Sequence, residues 1–552
     1  MEQSDAEELF LWVLNKPDDE AKKEEFIRAF AKDPDTVLNG VKAVGQSQGL
    51  FPHEVHSIVR EGAVPPWENC IDKQKCQPLE WRKPRALKDL VDIVTEASSK
   101  KLPVRAVGSG HSFSDITNTD GAILVDPHWT LNEPVPVDKT SLKPNADPAN
   151  IFRVQCGITV SALNDALDNA NLGLINMGAY DGQTVSGALS TGTHGSGIAF
   201  GPMASFLLSI VLVTETGVVY QIEPANGITD PSKFSGRLPE AGDVPVVLKQ
   251  DDDWFHAAQV AMGCLGIIYS YSIRVCPAFS VSEVRAETTW EAVKSQLTPL
   301  LQNTDHFELL INPYAEDDGT HTCITVERKR LPKTPPSGSR LSAGGSIAEW
   351  AAVKGSPVLV LALNALPCVS FARCCINKAL EFLPDYEPPY VDVSHKVFTL
   401  GIANTVKAWA LELHCDAANT VDMVEKTLAT FQQLGNDKNW IIAGPIGIRF
   451  VAASDAFLAP EAGRLTCTIE CDMLYGIHHD RDLLGRVKAA ICGGNGNNSG
   501  VRVHWGLDWD FTTAADVTQW YADLPRWQAV YRQLNSTGMF DNAFTKRLQL
   551  RG

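Results

Sequence analysis

A chain of 552 residues is longer than one hydrophobic core usually fills, so two or three domains are expected. Hydrophobic residues make up 44% and charged residues 21%, the balance of an ordinary folded protein. The formal charge of -18, with no clustered Lys and Arg, excludes a nucleic-acid partner, because polyanions are held by grouped cations.

The N-terminus, MEQSDAEELFLWVLNKPDDE, is acidic and lacks a basic n-region or a long apolar stretch, so it does not read as a secretory signal. The 13 cysteines are scattered, and Cys374 and Cys375 are adjacent in apolar sequence. That fits buried free thiols and a cytoplasmic or other intracellular location. Sequons at Asn497 and Asn535 would matter only after export.

Residues 1–78 read as an acidic helical extension, with Leu9, Trp12 and Val13 at helical spacing and Pro65-Pro66 near its end. From Trp81 strands and helices alternate. ALKDLVDIVTEASSKK is an amphipathic helix and LPVRAVG a buried strand. IFRVQCGITV is a strand, followed by a helix that Ser161 should cap and Gly173 should end. FLLSIVLVTETGVVYQIEP is a strand pair around a Thr-Gly turn, and AMGCLGIIYSYSIRV closes this 79–280 region.

Residues 281–500 mix β-alternating pieces with long helices, which suits a large antiparallel sheet backed by helices; residues 501–552 should return to the preceding domain. The most apolar stretch, Ser356 to Ile376, contains Asn364, Pro367 and Arg373. Its apolar run is shorter than the roughly 20 residues of a spanning helix, so it reads as buried structure, with membrane contact not favoured. CGGNGNNSG lacks a strand-turn-helix context and reads as a surface loop.

Two glycine-rich stretches carry the chemistry: Gly108-Ser109-Gly110-His111-Ser112, and GAYDGQTVSGALSTGTHGSG from Gly178 to Gly197. Glycines let backbone amides converge on an anion, and small hydroxyl side chains add donors. Neither stretch is a P-loop or a clean G-x-G-x-x-G. Cys467-x3-Cys471 and His478-His479 lack partners at ligand spacing, so no metal site is expected, and no G-x-S-x-G elbow is present.

Taken in order, VRAVGSGHSFSDI, VQCGITVSALN, QTVSGALSTGTHGSG, AMGCLGIIYSYSIRV and the late VHWG resemble the vanillyl-alcohol-oxidase (PCMH-type) flavoprotein superfamily. Within it they are most similar to the aldonolactone and alditol oxidases, among them gulonolactone, arabinonolactone and xylitol oxidases. The resemblance runs from Trp81 to the C-terminus and does not reach the first 78 residues. It implies an α+β fold: a PCMH-type FAD-binding domain of two αβ subdomains, and a substrate (cap) domain with a large antiparallel sheet and flanking helices. It also implies that Gly108, Ser109, Gly110, Ser112, Ser186, Gly187, Thr191 and Thr193 line FAD, with Gly192, His194, Gly266 and Ile268 close to it. His111 would bond covalently to the flavin 8α-methyl carbon, as a neutral imidazole nucleophile. A second link would need a cysteine just before Thr184, where the chain has Asp181-Gly182-Gln183, so one link is expected. Cys156 stands where relatives carry a small residue near flavin C4a; the thiol either slows oxygen access or acts as an apolar filler.

The sequence departs from these oxidases at the catalytic end. They carry Glu-x-Arg and His-Trp-[Gly/Ala]-Lys, whereas this chain has Gly447-Ile448-Arg449 and His504-Trp505-Gly506-Leu507. Arg449 and His504 are kept. Glu412, His395 and Tyr314 are the candidate substitutes for the missing groups, each equally readable as a structural polar residue. The expected function is FAD-dependent oxidation of a CH–OH group on a sugar lactone or polyol-like small molecule, with electrons passed to O2 or another acceptor. Leu507 and Gly447 leave open an apolar or aromatic alcohol or amine as substrate. A non-catalytic flavin-binding scaffold is a third reading.

Overall fold

The computed structural model describes residues 1–16, 19–48, 64–338, 357–381, 383, 389–399, 407–493, 500–507 and 509–552. Most of the CGGNGNNSG loop, and Asn497 with it, lies outside the described residues. Asn535, the other sequon, is fully buried and donates to Asp541.

The first αβ unit is a parallel sheet in which Ile123–Val125 lies between Glu80–Arg82 and Val104–Ala106. Helix Leu87–Lys100 precedes the strand Val104–Ala106. It buries Leu87, Leu90, Ile93, Val94 and Ala97 at helical spacing, and ends where Lys101 turns left-handed at φ 53°. The second unit is a five-stranded sheet in the order 246–250, 219–223, 207–213, 267–274, 151–155. Its hairpin between 213 and 219 turns on Gly217 at φ 78°. Helix Val160–Asn169 is capped by Thr159 rather than Ser161: Thr159 is extended and its hydroxyl accepts from Ala162 N–H, while Ser161 already lies in the first turn.

The larger sheet has eight strands, antiparallel throughout, in the order 390–393, 279–289, 322–332, 306–311, 446–451, 466–474, 408–416, 502–503. Strand alternation gives it two unlike faces. In Thr466–Leu474 the residues Cys467, Ile469, Cys471 and Met473 are fully buried in the apolar core. Cys467 meets Thr420, where helix Thr420–Lys438 begins, so that face packs on helices. Thr468, Glu470 and Asp472 alternate with them on the opposite face, where Glu470 bonds Arg449, and this polar face carries the site.

The C-terminal segment serves both halves. Arg502–Val503 forms the sheet edge. Helix Leu524–Leu534 then returns to the first domain, where Trp527 Nε1 donates to the Ala257 carbonyl. Val104 N–H likewise donates to the Met539 carbonyl.

The N-terminal helices Gln3–Asn15, Glu20–Lys32 and Pro34–Ser47 pack on helices Pro357–Ala365 and Val369–Leu380. Phe26 and Phe30 meet the Phe371 ring edge-on at 5.4 and 5.2 Å. The most apolar stretch of the sequence is thus two short helices covered by the extension. No helix among the described residues is long and apolar enough to cross a membrane. Residues 67–76, grouped by sequence with the extension, instead pair as a two-stranded hairpin against the 108–113 loop: Cys70 N–H donates to Gly110 O, and Asn69 to Ser112 O.

Candidate active site

A cleft is lined by residues of both αβ units and by His504, Gly506 and Leu507 of the C-terminal segment. Its lining includes Gly108, Ser109, Gly110, His111 and Ser112 from the first loop, and Ser186, Gly187 and Thr191 from the second. Cys156, Gly266, Ile268, His504, Gly506 and Leu507 complete the relevant wall. Glycine is required at two of these positions. A Cβ on Gly108 would lie 2.2 Å from Thr184 Oγ1, so the loops approach too closely for any side chain there. Gly110 adopts φ 73° at the turn into His111. Ser109 Oγ is buried with no hydrogen-bond partner, an orphaned donor aimed at what the cradle holds. An orphan hydroxyl between two glycines, facing the Thr184-capped helix Val185–Ser190, fits the diphosphate of FAD.

His111 Nε2 lies 3.0 Å from the Tyr180 hydroxyl, and the two rings meet edge-on at 4.6 Å. Burial, helped by the charge of nearby His128, lowers the His111 pKa to about 4 and keeps its imidazole neutral. Cys156 is 1% exposed and burial pushes its thiol up to about 12, so it is inert toward ionisation and acts as apolar lining. His504 accepts the Gly506 N–H at Nδ1 (3.1 Å), and burial lowers its pKa to about 4. The remaining ring hydrogen is therefore on Nε2.

The polar face of the eight-stranded sheet carries an ionic ladder across six adjacent strands. Arg285 pairs with Glu283, Glu283 with Arg328, and Arg328 with Glu308 at 2.9, 2.6 and 3.2 Å. Arg449 then bonds Glu308 at 2.9 Å and Glu470 at 2.8 Å, with Glu412 at 3.9 Å. Beyond it, Glu412 meets His194 at 3.2 Å and His414 at 3.5 Å, and His414 meets Glu461 at 3.1 Å. Burial opposes the Arg449 charge, but Glu470, Glu308 and Glu412 outweigh it and hold the guanidinium well above its ordinary value. Burial would likewise raise Glu308, yet Arg449 and Arg328 bring it down to about 2. Glu470 differs: burial and the neighbouring Glu412 raise its pKa against the pull of Arg449. Its side chain is 21% exposed, more than any other ladder carboxylate.

The structure brings together most of the residues singled out by sequence. Arg449 lines a second, small cavity with Glu308, Arg328, His306 and Ala179, the residue before Tyr180. Gly192, Thr193 and His194 lie behind the cleft wall instead of on it; Thr193 bonds Gln183 at 3.4 Å and His194 bonds Glu412. Glu412 belongs to the site, at the junction of Arg449 and the histidines. Tyr314 does not: it is fully buried and its hydroxyl accepts Ile442 N–H, a structural bond. His395 does not either, standing on the short helix Ser394–Phe398 near Asp168, away from the cleft. Sequence reading missed Glu308, Glu470, His414, Glu461 and Tyr180. For Glu470 a signal existed, since Thr468, Glu470 and Asp472 alternate with apolar residues along one strand.

Residues 80–223 match the FAD binding domain family, and residues 271–548 match the D-arabinono-1,4-lactone oxidase family. The chain is 26% identical over 492 residues to L-gulono-1,4-lactone dehydrogenase of Mycobacterium tuberculosis, covering 88% of this chain and 99% of the relative. It is 24% identical to L-gulonolactone oxidase of Bos taurus, covering 87% and 98%. Cholesterol oxidase from B. sterolicum shares the fold, with TM-score 0.63 at 12% identity, covering 90% of this chain and 100% of that one. The cradle and these matches make the protein an FAD-dependent oxidoreductase of PCMH-type fold. With half its length matched to one family, the chain belongs to the D-arabinono-1,4-lactone oxidase family.

Proposed function

We propose that the protein oxidises a CH–OH group of an aldonolactone and passes the electrons to O2 or another acceptor. The observation that carries this reading is Arg449, a buried permanent cation beside the segment holding Tyr180, with one partly exposed carboxylate of raised pKa, Glu470, bonded to it.

FAD, when bound, supplies a two-electron acceptor for the substrate hydride. The loops at 108–112 and 186–191 would hold its diphosphate end. His111 is a neutral nitrogen nucleophile held by Tyr180, suited to tether the flavin by a single covalent bond. Arg449 stabilises the negative charge that develops on the substrate oxygen as its proton leaves. Glu470 takes the hydroxyl proton onto its carboxylate oxygen, a step its raised pKa favours. His504 offers its Nε2–H to a carbonyl or ring oxygen. Leu507 adds an apolar surface where the related oxidases carry lysine, which narrows the polar contacts available to the substrate.

The test is anaerobic addition of L-gulono-, L-galactono- and D-arabinono-1,4-lactone to flavin-loaded protein, with the visible spectrum followed. Bleaching of the flavin by a lactone is the expected result. Bleaching by apolar alcohols alone would overturn the lactone reading and shift the substrate toward the one Leu507 favours.

A further inference from the structure

The strand Val104–Ala106 leads into the cradle loop, and its middle residue is a buried cation. Arg105 is 2% exposed yet contributes to the lining of the cleft. Its guanidinium donates to four backbone carbonyls. Nη1 reaches Gly263 O at 3.2 Å and Phe540 O at 3.1 Å, and Nη2 reaches Met262 O at 2.5 Å and also Ile116 O. One side chain thus ties together the first αβ unit, the turn before the strand Ile267–Arg274 and the C-terminal segment. That turn is left-handed at two successive residues, Met262 at φ 49° and Gly263 at φ 70°, which strains the methionine backbone. Both strained residues end their carbonyls on Arg105 and both line the cleft.

What Arg105 lacks is an anion. The other buried arginines among the described residues, Arg153, Arg285 and Arg328, each hold a glutamate at 2.6 to 2.9 Å. Arg105 has no carboxylate within ion-pair distance among the described residues, and those on the segments it binds are engaged elsewhere. Asp115 bonds Arg547 at 2.6 Å, and Asp541 accepts from Tyr531 and Asn535 with Arg551 at 3.6 Å. Carbonyl dipoles orient a buried guanidinium without neutralising it, and a charge taken out of water needs a counter-charge. The same cleft contains the orphaned Ser109 hydroxyl. A group bearing phosphoryl oxygens answers both needs, an acceptor for the hydroxyl and negative charge for the guanidinium.

We propose that Arg105 is the electrostatic anchor of the cofactor, supplying the counter-charge to the FAD diphosphate from behind the cradle loop. The inference rests on the assignment of FAD to the cleft and is independent of which substrate the protein oxidises. Four of the guanidinium's hydrogen bonds stay on the carbonyls, so its attraction for the diphosphate acts through the field of a fixed buried charge. Away from solvent and salt that field is weakly screened. Arg105 holds the 262–263 turn at the same time, so charge and wall shape come from one side chain. A lysine would keep the charge but lose the planar fork that spans four carbonyls.

The experiment uses the full chain with His111→Ala, stripped of its exchangeable flavin, and titrates it by calorimetry with ADP and with adenosine. ADP carries the diphosphate, and adenosine presents the same base and ribose without it. Arg105→Met should weaken ADP binding by roughly 30-fold or more and leave adenosine affinity unchanged. Arg105→Lys should keep the preference for ADP over adenosine to within roughly 10-fold of the parent. If Arg105→Met does not fold, the lysine variant carries the test, and loss of its ADP preference would overturn the proposal. Equal losses for ADP and adenosine in Arg105→Met would overturn it too, by assigning Arg105 to the fold alone. Failure of the His111→Ala parent to bind either FAD or ADP would instead sink the flavin cradle, and the anchor with it.

Discussion

Glu470 stands directly across the strand pair from Gly447, and its carboxylate bonds the guanidinium of Arg449, two residues further along Gly447's own strand. A Cβ built on Gly447 would lie 3.7 Å from Glu470 Cβ and 3.8 Å from Oε2. The acid that the related oxidases carry on the arginine strand is thus replaced in space by one from the neighbouring strand. Glu470→Gln should lower the rate of anaerobic flavin reduction by roughly 10²- to 10⁴-fold, the usual worth of a positioned base. Adding Gly447→Glu to that variant should recover part of the loss, measured by stopped-flow absorbance. Equal rates in the single and double variants would sink the exchange.

His111 and Tyr180 form the tether end of the cleft. His111→Ala should release all flavin into the supernatant on acid precipitation, while the wild type keeps its fluorescence on a denaturing gel. Tyr180→Phe removes the hydroxyl 3.0 Å from Nε2 and should lower the attached fraction without abolishing it.

Gly108 sits where the two cradle loops touch. Gly108→Ala places a methyl group 2.2 Å from Thr184 Oγ1, so the Thr184 side chain or the loop itself must shift. Overpacking of this kind costs about 1–3 kcal/mol, so FAD affinity measured before attachment, in the His111→Ala background, should fall roughly 10- to 100-fold.

His306 sets an acid limit on stability. It is 1% exposed, and burial lowers its pKa from 6.5 to about 4, against the raising effect of the Ser196 carbonyl. The unfolded chain therefore takes up this proton first. The stabilisation is complete above pH 6.5 and is lost as pH falls toward 4, by about 3 kcal/mol in total. His306→Phe should flatten the pH dependence of urea unfolding in that window; an unchanged slope would exclude His306 as the source.

Phe30 anchors the N-terminal helices, fully buried against Phe371. Phe30→Ala should cost about 3–5 kcal/mol of the extension's docking, read as earlier proteolysis of residues 1–48 with flavin binding intact.

The local features of this protein were legible in the sequence because they are set by neighbouring residues. Gly108 and Gly110 announce a cradle through the lack of a side chain, and the helix Leu87–Lys100 is written in its apolar spacing. The two-residue slip of a cap from Ser161 to Thr159 shows the limit of that reading, since either hydroxyl suits a cap and only the backbone angle chooses. The catalytic wall was not legible. Glu308, Arg449, Glu470 and Glu412 come from four strands whose order in the sheet differs from their order in the chain. His194, Glu412, His414 and Glu461 likewise have no spacing that marks them as one cluster. Which carboxylate faces which cation is decided by strand register, a property summed over the whole sheet. The sequence by itself therefore determined the flavin cradle, and only the tertiary structure decided what surrounds Arg449.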